Sequence, residues 1–367
     1  MLNARARKPL SSILAISAFA LIATPAIADY RFTTGQDENL DLPRFKVSAS
    51  GIYSRIEDPN KLGFGTFQNA TGDFGLALGA EYINRYGGSI QGYTGILLPD
   101  IMLDLFAFLY CLPPEEYSAS GFMSFHGLHS GGDYNTYGQA TVGVNGTNFV
   151  GLTYNQNIGV STGIGSGFAG DYVIANGELN NTWSFGEVGF GMNFKPNDDS
   201  KPSVAMQIIP FFEQFKSDSN ADAYIGRAGA RLAEQQTRTD TEDNFFGLGF
   251  EAKAVKEFGP NNNAYVSAGA RANVSFRDSS ASFWQNNNGT IQAFDYDDSG
   301  IELGGTLEFG VGYKFQNDWS ITGEFGVSVL PGVTGFDSRE TPNDQVGHFE
   351  SKNVTRYDFT MKISRTF

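Results

Sequence analysis

The chain closes with NVTRYDFTMKISRTF, Asn353 to Phe367. Apolar side chains stand at Tyr357, Phe359, Met361, Ile363 and Phe367, separated by Asp358, Thr360, Lys362, Ser364 and Thr366. A period of two marks a strand with an apolar medium on one face and a polar medium on the other. No turn residue follows Phe367, so the reading ends the chain inside this strand.

The same alternation recurs upstream. Phe45, Val47, Ala49 and Tyr53 form one apolar line, and Phe74 to Tyr82 form another, followed by a Gly87-Gly88 turn. Val188 to Phe194 lead into the turn at 195–199, and Val204, Met206 and Ile208 return. Phe246 to Ala254, Ala264 to Phe276, Ile301 to Phe315 and Trp319 to Val329 are the clearest lines. About 10 residues of tilted strand cross a bilayer, and these lines reach that length. Asn145-Gly146 is a hairpin signal, because both residues tolerate positive φ.

A strand that ends on an aromatic residue after alternating apolar positions resembles the closing strand of Gram-negative outer-membrane β-barrels. The match covers Phe359, Met361, Ile363 and Phe367 and departs at Arg365. The resemblance implies that these four positions are an insertion signal read by the barrel-assembly machinery. It further implies outer-membrane lipid and lipopolysaccharide as surroundings, and leaves homo-oligomers open. The barrel is also similar to autotransporter translocator domains, although no passenger precedes it. The expected fold is therefore all-β, a transmembrane antiparallel up-and-down β-barrel of about 12–14 strands. A spanning structure without membrane helices must close on itself, because lipid leaves no partner for an open edge.

The remaining organisation follows from this expectation. Residues 1–28 read as a cleaved signal peptide: Arg5, Arg7 and Lys8, an apolar run, then Ala26-Ile27-Ala28. Residues 29–43 read as a short periplasmic arm, and 44–367 as the barrel. Short links near Gly87, Asn197, Pro260 and Asn317 alternate with long polar stretches at 217–242, 278–299 and 332–352, which read as outer loops. A short helix is expected within 221–236. The apolar segment 96–112 fits either a strand pair or an insertion, and it sets the count at 14 or 12.

A net charge of −15 argues against nucleic acid, since phosphate binding needs a basic surface. The single cysteine, Cys111, has no partner for an internal disulfide. No metal-ligand spacing or phosphate-binding loop occurs, so no cofactor and no metal are expected. On the polar faces of the last strands stand Glu251, Lys253, Arg271, Glu302, Glu308, Glu324, Asp358 and Lys362. Such a charged wall lines a pore, or else stiffens the lumen as cross-strand pairs. The expected role is a porin-like channel for passive diffusion of small solutes. The alternative is a structural or adhesive protein with a plugged lumen and partner-binding loops. No enzyme is expected: His129 and Ser130 are adjacent on a strand and so face opposite sides, and His126 is a loose alternative. His348 reads as a solvated loop residue.

Overall fold

The computed structural model describes residues 45–57, 63–69, 72–77, 82–96, 117–142, 149–152 and 172–367, apart from 338–347 and a few turn positions. The signal-peptide and arm readings, Asn145-Gly146 and residues 97–116 lie outside the described residues. All regular structure among the described residues is strand: β1 (Phe45–Glu57), β2 (Gly63–Asn69), β3 (Gly72–Ala77), β4 (Tyr82–Ile96), β5 (Tyr117–Val142), β6 (Phe149–Leu152), β7 (Tyr172–Pro196), β8 (Ser203–Arg227), β9 (Ala230–Phe258), β10 (Ala264–Asn287), β11 (Thr290–Lys314), β12 (Trp319–Asp337) and β13 (His348–Thr366). Ten of them close an antiparallel ring in the order β4-β1-β13-β12-β11-β10-β9-β8-β7-β5, with β5 returning to β4. The expected all-β up-and-down barrel is the observed fold.

The C-terminal strand seals the ring. β13 pairs with β1 from Thr366↔Lys46 to Arg356↔Ile56 and with β12 on its other side. The N–H of Phe367 donates to the Phe45 carbonyl at 2.8 Å. Alternation then sorts the side chains. Phe359, Met361, Ile363 and Phe367 point outward with Phe246, Phe250, Leu307, Phe309, Val311 and Phe325, all exposed. A belt of this size tolerates only apolar surroundings, the outside-in arrangement of a transmembrane barrel.

Among the described residues the ring has ten strands rather than 12–14, for two reasons. Gly87-Gly88 is not a turn; it lies within β4, where Gly87 opposes Ser130 and Gly88 opposes Gly51. A Cβ at Gly87 would come within 2.7 Å of Ser130 Cα, so close strand approach, not positive φ, calls for glycine there. The line from Phe74 is not a barrel strand either, since β3 pairs only with β2.

The stretches 217–242 and 278–299 are not loops. β8 and β9 run on past the apolar belt to a tight turn at Ala228-Gly229, both with positive φ (50° and 85°). That turn type suits a two-residue hairpin, and it overrides the helix expected in 221–236. β10 and β11 likewise continue to Asn287↔Thr290. Beyond the belt the outer face meets water while the inner face buries mostly hydroxyl side chains such as Ser217, Ser219, Thr239, Thr241 and Ser279, so apolar alternation disappears although the ladder does not. His348 is not in a loop; it begins β13 and approaches Glu350 at 3.9 Å.

One seam interrupts the wall. β11 pairs with β12 only from Lys314↔Ser320 to Gly305↔Val329. There β12 bulges, its register shifting between Leu330 and Val333. Pro331 has no N–H to continue the ladder, and Gly332 takes φ +75°. Gly332 to Phe336 are then buried in succession, so the upper β12–β13 hairpin turns into the ring. A Cβ on Gly332 would lie 2.5 Å from Glu302 Cδ and 2.9 Å from Arg277 Nε. Gly332→Ala should therefore cost about 1–3 kcal/mol. It should raise amide exchange in 332–336 while leaving exchange in the belt strands unchanged, which hydrogen exchange in detergent micelles would check.

Candidate functional site

The inward faces hold four polar clusters and two apolar layers. In the first cluster Glu324 accepts from Lys253 Nζ at 3.0 Å and from Lys362 Nζ at 2.7 Å, and Glu308 stands 3.7 Å from Lys253. Four of the charges expected on the polar faces, from β9, β11, β12 and β13, thus meet. Glu251 sits between this cluster and the next, with Glu308, Lys253, Glu187 and Arg271 as its charged neighbours.

The second cluster centres on Glu187. Arg271 Nη1 donates to it at 2.5 Å and Arg271 Nε donates to Asn273 at 2.6 Å. Gln91 Nε2 donates to His126 Nε2 at 3.1 Å, which leaves the proton on Nδ1, 3.4 Å from Glu187.

The third cluster spans the ring. Arg356 on β13 lies 3.5 Å from Glu213 on β8, and these strands are diametrically opposite in the strand order. Its guanidinium stacks on Trp183 at 3.8 Å, and Trp183 Nε1 donates to Glu213 at 2.6 Å. Arg356 Nε donates to Asp358 at 2.7 Å, and Asp358 accepts from Ser54 at 2.6 Å.

Around this strut lies an apolar layer: Ile52 and Ile56 of β1, Ile83 of β4, Leu128 of β5, Leu179 and Trp183 of β7, Phe211 and Phe215 of β8, Phe245 of β9, Val333 of β12 and Val354 of β13. Eight strands contribute to one packed cluster, and every member is buried. Farther up, Arg277 binds Glu302 at 3.1 Å and Asp298 at 2.5 Å. The inturned β12 is pinned to β9, where Asp243 accepts from the Thr334 N–H at 2.9 Å and its hydroxyl at 2.7 Å. Phe283, Phe294, Phe336 and Phe349 stack above with centroids 4.6–6.5 Å apart.

All eight polar-face residues singled out from sequence are placed by these contacts, but not as one wall. Arg271, Glu302 and Asp358 pair with Glu187, Arg277 and Arg356, which that reading did not select. The signal existed: Glu187 alternates with Val188 and Phe190, and Arg277 extends the polar line of Arg271, Asn273 and Ser275. Sequence could not reveal the residues that cross the ring, since the pairing of opposite strands leaves no local pattern. His129 and Ser130 do face opposite ways: Ser130 is buried inside, and His129 Nδ1 lies outside, 2.8 Å from Ser184 Oγ. Arg365 stacks outside on Trp319 and Phe367, at 5.4 and 4.9 Å.

Outside the belt, whose last outward members here are Phe212 and Phe246, Asp218 opposes Asp240. Burial and the facing carboxylate push the Asp218 carboxyl up to about 6. At the opposite end Asp198 is held below the usual carboxylate range by the backbone N–H and hydroxyl of Ser200.

No protein-family model matches the chain, and no curated protein matches it. Among solved structures, similar chains include the outer-membrane protease OmpT of Escherichia coli (TM-score 0.36, 7% identity, 92% of this chain and 100% of that one). Another is the transport unit of the autotransporter AIDA-I, also of E. coli (TM-score 0.29, 8% identity, 92% and 94%). A third is a FadL homologue of Pseudomonas aeruginosa (TM-score 0.28, 8% identity, 89% and 90%).

Proposed function

We propose that this chain is a closed, non-conducting barrel of the bacterial outer membrane, and that it works through the half that stands clear of the lipid. The membrane reading is supported by the exposed apolar belt and the closing strand. The observation that carries the closed reading is the apolar layer drawn from eight strands, with the Arg356–Glu213 strut running through it. Diffusion channels need a wetted passage, and side chains that meet across the ring leave solutes no such path. The charged clusters then act as struts rather than as a selectivity wall. The working surface is the extension of β8 to β11 and the inturned β12–β13 hairpin, a binding or structural role without catalysis.

Planar-bilayer recording tests this. The wild-type chain should insert without conductance steps. A variant with Trp183, Phe211 and Phe215 all changed to alanine should conduct. Stable steps from the wild type would overturn the closed reading in favour of the porin-like channel expected from sequence.

A further inference from the structure

We propose that the upper edge of β11 is a docking site for an extended, basic polypeptide segment, which adds to the sheet as a strand. This rests on the reading of the lipid-free half as the working surface and names the class of its partner.

β11 keeps its β10 ladder unbroken from Tyr313 to Thr290. Its β12 ladder stops at Gly305. Among the described residues, nothing pairs with that side from Gly304 to Thr290, because β12 has turned inside. The direction of the vacated groups can be read from the paired part. Phe315 N–H donates to Trp319 on the β12 side at 2.8 Å, and Lys314 N–H donates to Asn263 on the β10 side at 2.7 Å. Strand groups alternate sides, and the register has no shift. The N–H and C=O of Leu303, Ile301, Ser299, Asp297, Asp295, Ala293 and Ile291 therefore lie on the open-edge side, the Ser299 N–H being already taken by the Asp298 carboxylate. An edge of this kind is a template for another strand.

Ile301 and Leu303, at the start of the gap, stand in register with Phe276 and Val274 of the belt, so the lipid-free part of the edge begins at Ser299. Charge selects the occupant. Asp295 and Asp297 stand exposed on the outward face of the edge, and Asp298 and Glu302 lie on its inner face, already held by Arg277. A lysine-bearing strand meets opposite charge across the ladder. A second copy does not: antiparallel pairing of two such edges centred on Asp295 or Asp297 sets aspartate against aspartate.

The test uses the full chain in lipid nanodiscs and a labelled peptide of repeating Lys-Val-Lys-Thr, long enough to span the free edge. Ala293→Pro removes one edge donor and spares the β10 ladder, a position where a strand accepts proline. Binding should fall about tenfold in A293P and also in the Asp295→Lys/Asp297→Lys double variant. The same peptide with its ladder-facing amides N-methylated should not bind. Unchanged binding to A293P, or equal binding of the methylated peptide, would overturn the proposal, as would cross-linking of two copies through cysteines at 297. Should A293P misfold, the methylated peptide and the charge reversal still decide. Conductance steps from the wild type would sink the closed-lumen reading without altering any of these binding results.

Discussion

Arg356→Ala should be among the most destabilising single changes in the barrel, with a loss of about 3–5 kcal/mol. Its guanidinium lies on Trp183, faces Glu213 across the ring and donates to Asp358 and Ser328. Removing it strands two largely buried carboxylates, 13% and 17% exposed, and opens a space beside the indole. The cost of an unpaired buried charge exceeds the worth of the original pair, so the loss should be partly reversed in Arg356→Ala/Glu213→Gln. Urea unfolding in detergent micelles measures both. An alanine variant as stable as the wild type would mean that the strut carries no load. Lysine at 356 should not rescue fully, because an ammonium cannot stack on Trp183 and fork to carboxylates at once.

Glu324→Ala should come next, at about 3 kcal/mol. Glu324 is the shared acceptor of Lys253 and Lys362. Without it two partly buried ammoniums face each other, with Glu308, 3.7 Å from Lys253, and Glu251 as the carboxylates left near that lysine. Glu324→Ala/Lys362→Met removes the repulsion and restores apolar contact, so it should recover most of the loss. The same urea titration reports both variants. Equal instability of single and double variants would show that packing, not charge, holds this layer. Glu324 and Lys362 lie outside the apolar layer, and their substitution should not open a conducting path.

The two sites differ in how far local pattern could reveal them. Lys253, Glu308, Glu324 and Lys362 sit on the polar faces of well-marked strands, so their inward direction follows from alternation alone. Arg356 lies on the same kind of face in β13, one alternation before Asp358, yet its partner is on the opposite strand. Only closure of the ring brings Glu213 to it.

Alternation along 353–367 and its repeats determined an all-β barrel, the direction of each belt side chain and the turns near 198, 260 and 317. Hydrocarbon on one side imposes that pattern, so the sequence carries it wherever lipid is present. Tertiary structure alone decided the strand number, the continuation of β8 to β11 beyond the belt, the filling of the ring and the parting of β11 from β12. Past the belt the outer face meets water and the inner face buries mainly polar side chains, and across the ring the contacts join residues far apart in the chain, so neither leaves an apolar period to read.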